Sequence, residues 1–361
     1  TDVATGNNNA IALTTSSGDI TGLATVNAGS GDVTLNSAGA IADDGSTGTV
    51  VTGGVLTADA AGAITIDSTV TSADISTSAA GAVDLDETNA ITLTDLDTTD
   101  GTITVDAGGA LTVTDVATGN NNAIALTTSS GDITGLATVN AGSGDVTLNS
   151  AGAIADDGST GTVVTGGVLT ADAAGAITID STVASADIST SAAGAVDLDE
   201  TDGITLTDLD TTDGSITVDA GGSIVATAVD SADAGSDETH AVILTASTGD
   251  VTIGAITSDS TLTIVATAGS INDAGDDTTT DLTSTTNAIV LTAQDEIGGN
   301  AAVMSTDTAG AIEVAANSAL DVSSTAAGGI VVSGAGALTL SDLDTVDGSI
   351  TASAAGALTA T

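Results

Sequence analysis

Apolar residues recur along this chain at every second position, in short bursts. Gly31-Asp32-Val33-Thr34-Leu35, Gly62-Ala63-Ile64-Thr65-Ile66 and Gly81-Ala82-Val83-Asp84-Leu85 show the unit, and Asn89 to Leu93, Gly101 to Val105 and Gly109 to Val113 repeat it. An apolar-polar-apolar alternation of period 2 is the signature of a strand with one buried face. Ile, Val and Thr favour strands, and Gly, Asn and Asp punctuate them. No stretch long enough for a helix has a helical period.

The bursts are themselves spaced regularly. Ile11 and Val33, Ile41 and Ile64, Ile64 and Val83, and Val83 and Ile103 all stand one such interval apart. The interval is about 19–23 residues, and a period of this size means a solenoid. Strands this short cannot close a core alone, but stacked turn on turn they form long parallel sheets around a thin apolar interior. The expected fold is therefore all-β, a parallel β-helix or β-solenoid with about 19–23 residues per coil. With about 16–18 coils at ~4.8 Å each, it would be an elongated rod on the order of 80 Å long. Gly beside each strand suits turns that need a positive φ.

A longer repeat overlies the short one. Residues 1–109 match 114–222 with four differences: Thr71/Ala184, Asn89/Asp202, Ala90/Gly203 and Thr102/Ser215. A third, diverged copy starts at Thr227 and regains register at Ser341 to Gly348, which parallels Thr94 to Gly101 and Thr207 to Gly214. Its offset is 134 rather than 113, which predicts about one extra coil. The organisation is three super-repeats, 1–113, 114–226 and 227–361, in one continuous solenoid, with residue 361 in phase with a fourth copy.

Composition narrows the function. There are 49 acidic residues, no Lys or Arg, one His, and no aromatic residue, Pro or Cys, giving a formal charge of −49. Nothing can neutralise phosphates, so nucleic acid is not expected as a partner, nor is an anionic membrane surface. No thiol chemistry is possible. No apolar run reaches the ~18 residues of a membrane span, so membrane insertion is not expected. The missing rings suit a narrow interior, and Pro would remove a ladder donor. The chain opens Thr1-Asp2-Val3 without Met, a basic region or an apolar region, so it reads as a mature or internal segment.

The Gly-Ala-Ile-Thr-Ile unit at 62–66, the Gly-Ser-Ile-Thr-Val unit at 214–218 and the Gly-Ala-Leu-Thr unit at 109–112 resemble the repeats of filamentous-haemagglutinin-like proteins. These are bacterial surface adhesins of the two-partner-secretion and autotransporter types. The resemblance covers nearly the whole chain and implies a right-handed parallel β-helix at the cell surface or outside the cell, acting as stalk, fibre or adhesin. The terminal secretion domain that marks the family does not occur in this sequence, and the absence of Lys, Arg and aromatic residues is extreme for it.

The recurrent polar feature is acidic. Asp95, Asp97 and Asp100 recur as Asp208, Asp210, Asp213 and as Asp342, Asp344, Asp347. Asp84, Asp86, Glu87 and Asp197, Asp199, Glu200 form a neighbouring strip. Carboxylates two and three apart in a Gly-ended loop can gather around Ca²⁺. The alternative is a solvated turn whose Asp side chains cap backbone amides. No cofactor is required by this reading, and Ca²⁺ is the one candidate. Stacked like charges with no basic residue to offset them should be destabilising at low salt.

Thr21, Thr34, Thr65, Thr92, Thr104 and Thr112 take outward positions, as an ice- or glycan-facing array would, but Asp84, Ala42 and Ala125 interrupt it. His240 stands where the other copies have Asn9 and Asn122, and reads as a turn substitution. An enzyme is not expected: lyases need a basic group, sugar platforms use rings, and tandem repeats give no unique cleft. The first and last coils are ordinary repeats without polar caps, so coil pairing is expected to run on into further copies, head to tail or along a longer chain, with lateral bundling as a further form of self-association. The reading is a structural repeat module of a long extracellular fibre, filament or adhesin stalk; the alternative is a calcium-dependent or ice- or glycan-binding surface adhesin module.

Overall fold

A computed structural model describes residues 2–46, 48–231, 239–274, 279–286, 288–299 and 310–361. Strands make up 61% of the chain and helix 1%, and the strands pair in parallel as a β-solenoid of about 16 turns, so the all-β expectation holds. Among the described residues, no helix is long and apolar enough to cross a membrane. The chain divides into two compact units, residues 1–183 and 184–361.

In the first unit the strands form two stacks that enclose the core. The first stack runs Ile11–Thr15, Val33–Ser37, Val55–Ala60, Ser72–Ala80, Ile91–Asp100 and then Leu111–Val113 with Val116–Thr118. The second runs Ile20–Leu23, Ile41–Asp43, Ile64–Thr69, Val83–Glu87, Ile103–Ala107, Ile124–Thr128 and Val146–Ser150. Register places like on like. Ile11, Val33, Leu56, Ala73, Leu93 and Val113 form one inward column. Ile20, Ile41, Ile64, Val83, Ile103, Ile124 and Val146 form the facing one. All are buried, and each large side chain contributes roughly 1.5–3 kcal/mol by leaving water.

The motif glycines serve packing rather than φ. Gly62, Gly81 and Gly101 stack directly, and a Cβ at Gly101 would run into the Gly81 carbonyl. None of these three has a positive φ; that conformation occurs at other turn glycines, such as Gly18, Gly29 and Gly142 (φ 82°, 64° and 63°), and at Asn7 and Asn8 (φ 60° and 57°) and their copies Asn120 and Asn121 (56° and 60°). Asn tolerates the left-handed region because its short side chain bonds locally, and here Asn8 and Asn121 accept the amides of Ser30 and Ser143 on the next turn.

Strand pairing fixes the relation between super-repeats. Ile11–Thr15 and its copy Ile124–Thr128 have the same sequence but lie in opposite stacks. Half a turn leads from Ile11–Thr15 to Ile20–Leu23, and five pairing steps then lead to Ile124–Thr128. The super-repeat is thus five and a half turns.

The second unit repeats the arrangement. One stack runs Ile204–Asp213, Ile224–Asp230, Val251–Ser258, Ile271–Asp273 with Leu282–Ser284, then Ile297 and Ile312–Val314, and Ile330–Gly334. The other runs Val196–Glu200, Ile216–Ala220, Val242–Ala246, Leu262–Ala266, Ala288–Ala293, Ser318–Ser324 and Leu338–Thr345. From Ile204–Asp213 to its copy Leu338–Thr345 is again half a turn and five steps. Among the described strands this stretch, although longer in sequence, makes the same number of pairing steps as the one from Ile11–Thr15 to Ile124–Thr128.

Candidate functional site

The sequence offers carboxylates, so the site is built from where the turns place them. In Ile91–Asp100, Leu96 is buried, which turns Asp95 and Asp97 outward on either side of it. Pairing sets Asp74 beside Asp95, and Asp97 beside Ser76 and Ala117. The carboxyl of Asp97 is held above its ordinary range, first by partial burial and then by the charges of Asp95, Asp115 and Asp74. Asp74 is raised by burial and then by Asp95 and Asp59, and Asp115 by burial and then by Asp95. Three successive turns thus bring Asp74, Asp95, Asp97 and Asp115 into one strip.

The second copy repeats it. Asp187 pairs with Asp208 and Asp210 with Asp230, and Asp210 is raised by burial and then by Asp208, Asp230 and Asp187. In the third copy Asp342 pairs with Asp321, and Asp344 with Ser323. The last carboxylate of each motif behaves differently. Asp100 accepts the Asn122 side-chain amide of the next turn at 3.1 Å. Asp213 lies 2.9 Å from the His240 ring. Asp347 sits exposed in the turn after Leu338–Thr345.

The neighbouring acidic strip separates by alternation. Asp86 lies in register between Asp67 and Asp106, and Asp84 between Thr65 and Thr104. Both are raised, first by burial and then by the carboxylates around them: Asp106, Asp67 and Asp43 for Asp84, and Asp84, Asp67, Asp106 and Asp43 for Asp86. Glu87 takes the next inward position and is buried. Its carboxylate accepts the Ser68 hydroxyl at 2.7 Å, the Val70 amide at 2.9 Å and the Asn89 amide at 3.0 Å. Glu200 is likewise buried and accepts the Asp202 amide at 3.0 Å. Asp67, Asp86 and Glu87, with Gly48, Thr49 and Thr88, line an open cleft of about 280 Å³. Asp44 and Asp157 go the other way, held below the usual carboxylate range by hydrogen bonds from Ser46 and Ser159.

Sequence reading missed Asp74 and Asp115, because membership of a strip depends on register between turns. The available signal was spacing: Asp74, Asp95 and Asp115 follow one another at intervals of a single coil. The Thr array resolves into separate ladders. Thr65 and Thr104 share one with Ala42, Asp84 and Ala125, whereas Thr92 and Thr112 share another with Ser72 and Thr134.

Chemically the strips offer acceptors alone. Among the described residues, no group of three or more Asp, Glu or His is arranged to hold a metal ion. Protons and mobile counter-ions relieve such stacked charges. In comparisons with known proteins, the chain matches no family model, no curated protein and no solved structure.

Proposed function

We propose that this chain is a structural repeat module of a long extracellular fibre, filament or adhesin stalk. The observation that supports this reading is the passage of the ladder through a super-repeat boundary. Around residues 113 and 114, Leu111–Val113 and Val116–Thr118 pair backwards with Ile91–Asp100 and forwards with Ile133–Leu136 and Val139–Asn140. The boundary has no cap and no break in pairing, so a further copy extends the ladder without a new kind of contact. The role is mechanical: parallel hydrogen-bonded turns resist extension, and the acidic surface keeps neighbouring molecules apart in water. The resemblance of the repeat units to filamentous-haemagglutinin-like adhesins agrees with an extracellular location. Its partners are further copies of the same repeat.

Electron microscopy of chains carrying two, four and six super-repeats tests the mechanical reading. Contour length should rise linearly by about 26 Å per copy, five and a half turns at ~4.8 Å. Antibody labelling of the source cells should mark surface or secreted material. Globular particles, or label confined to the cell interior, would overturn the proposal.

A further inference from the structure

His240 is the chain's one imidazole, and no Lys or Arg accompanies it. It precedes Val242–Ala246 and is buried, at 9% exposure. Its two ring nitrogens face carboxylates on different turns. Nε2 lies 2.9 Å from Asp213 Oδ1 on the preceding turn, and Nδ1 lies 3.2 Å from Asp259 Oδ2 on the following one. Among the described residues these are the titratable groups within ion-pair distance of the ring. Among the described residues its remaining hydrogen-bond neighbours are neutral. Thr239 Oγ1 lies 3.2 Å from Nε2, the hydroxyls of Ser231 and Ser258 donate to the His240 carbonyl, and Ser215 Oγ accepts the Ala241 amide. Asp259 is itself buried and accepts a hydrogen bond from Thr285.

The other copies show what changed. Asn122 occupies the equivalent position and gives its amide to Asp100, the copy of Asp213. Three positions ahead of the following strand the earlier copies carry Ser30 and Ser143; the third carries Asp259. The exchange of Asn for His thus accompanies an exchange of Ser for Asp, and a contact from an uncharged amide to one carboxylate across two turns becomes one from an ionisable ring to two carboxylates across three.

Proton counting at the ring decides its behaviour. A neutral imidazole carries one N–H and one lone pair. Either tautomer donates to one carboxylate and turns a lone pair toward the other. The imidazolium donates to both. We propose that His240 is a proton-controlled clamp. It ties Asp213, its own turn and Asp259 together when doubly protonated, and it releases one carboxylate when the second proton leaves. The released group is either half-exposed Asp213 or buried Asp259, and an unpaired buried carboxylate is strongly destabilising. The third copy therefore loosens at this point as pH rises, whereas the Asn-bearing copies hold.

Amide hydrogen exchange on the full chain tests this, read against the His240 ring by long-range ¹H–¹⁵N correlation. A single His makes the ring signal unambiguous. Across a pH series in which the ring signal passes from imidazolium to imidazole, protection factors of Val242–Ala246 and Leu262–Ala266 should fall on the order of five-fold as the ring loses its second proton. With the series run at high salt, which screens the acidic strips, those of Ile124–Thr128, beside Asn122, should not change and serve as an internal control. The paired variant His240→Asn with Asp259→Ser should abolish the pH dependence. Constant protection through the ring's titration, or an equal fall at Ile124–Thr128, overturns the clamp. So does the same pH dependence in the paired variant.

Discussion

At the scale of the residue, the fold sets like charges on like. A column of carboxylates such as Asp67, Asp86 and Asp106 forms because identical turns stack in register. Asp74, Asp84, Asp86, Asp97, Asp115 and Asp210 all hold their protons more tightly than free Asp. A carboxyl raised in the folded state binds more protons folded than unfolded, so its contribution to stability improves as pH falls through the raised value toward 3.8. Asp44 and Asp157 contribute in the opposite sense but are fully exposed. At low ionic strength the melting temperature should therefore be higher near pH 5 than at pH 7, and salt should narrow the gap. A lower melting temperature near pH 5 would refute the argument. The same strips predict the cation response. Ca²⁺ takes six to eight oxygens, whereas the motif's last carboxylate is diverted to Asn122 in one copy and His240 in another. Stabilisation by CaCl₂ should match that by NaCl at equal ionic strength; an added increment from calcium in thermal melts would reveal a chelating set. The candidate residues themselves were legible from their recurrence, but their neighbours were not. Asp74 and Asp115 join Asp95 through register, and the step in sequence varies from turn to turn: Val55 pairs with Ser72, a shorter step than the one from Asp74 to Asp95.

At the scale of the element, alternation was a sound guide where inward positions were apolar, as at Val33 and Leu35. It was less informative at strand ends. Val83–Glu87 alternates through its last residue, and that residue is charged. Glu87 read from the sequence as part of an acidic surface, but period 2 turns it into the corner of the turn, where three donors meet it. Removing a buried acceptor strands its donors, which is the larger part of the cost. Glu87→Ala should destabilise this turn by on the order of 2–4 kcal/mol, and Glu87→Gln, which keeps one acceptor oxygen, by roughly half as much. Because a solenoid opens locally, the readout is exchange at the Val70 and Asn89 amides rather than a global melt. Protection unchanged in Glu87→Ala would show that the carboxylate does not hold the corner. Bends were equally hidden. Ile91–Asp100 is one unbroken strand, yet its pairing with Ser72–Ala80 shifts register between Ala73 and Asp74. The shift puts Leu93 and Leu96, three apart, both inward.

At the scale of the whole molecule, the near-identity of residues 1–109 with 114–222 revealed the repeat and concealed its phase. Two matching segments invite the picture of one lying directly above the other. Turn lengths are uneven, so the number of turns in a super-repeat follows only from the pairing, and it is half-integral. Within the first unit Ile11–Thr15 and its copy Ile124–Thr128 therefore take opposite sides of the core, and within the second unit Ile204–Asp213 and its copy Leu338–Thr345 do the same. Spin labels on the first unit test the phase directly. Thr14 is linked to Ala117 by five pairing steps along one stack, through Asn36, Asp59, Ser76 and Asp97. Thr127, its own copy, lies in the other stack opposite Asp106. Labels at 14 and 117 should report an axial separation of about 24 Å. Labels at 14 and 127 have nearly the same axial separation but lie across the core, so their distance should be longer by about 4 Å, given the ~10 Å between packed sheets. Copies stacked in phase would reverse the order, with 14 to 127 the aligned pair. A distance from 14 to 127 no longer than that from 14 to 117 would rule out the half turn.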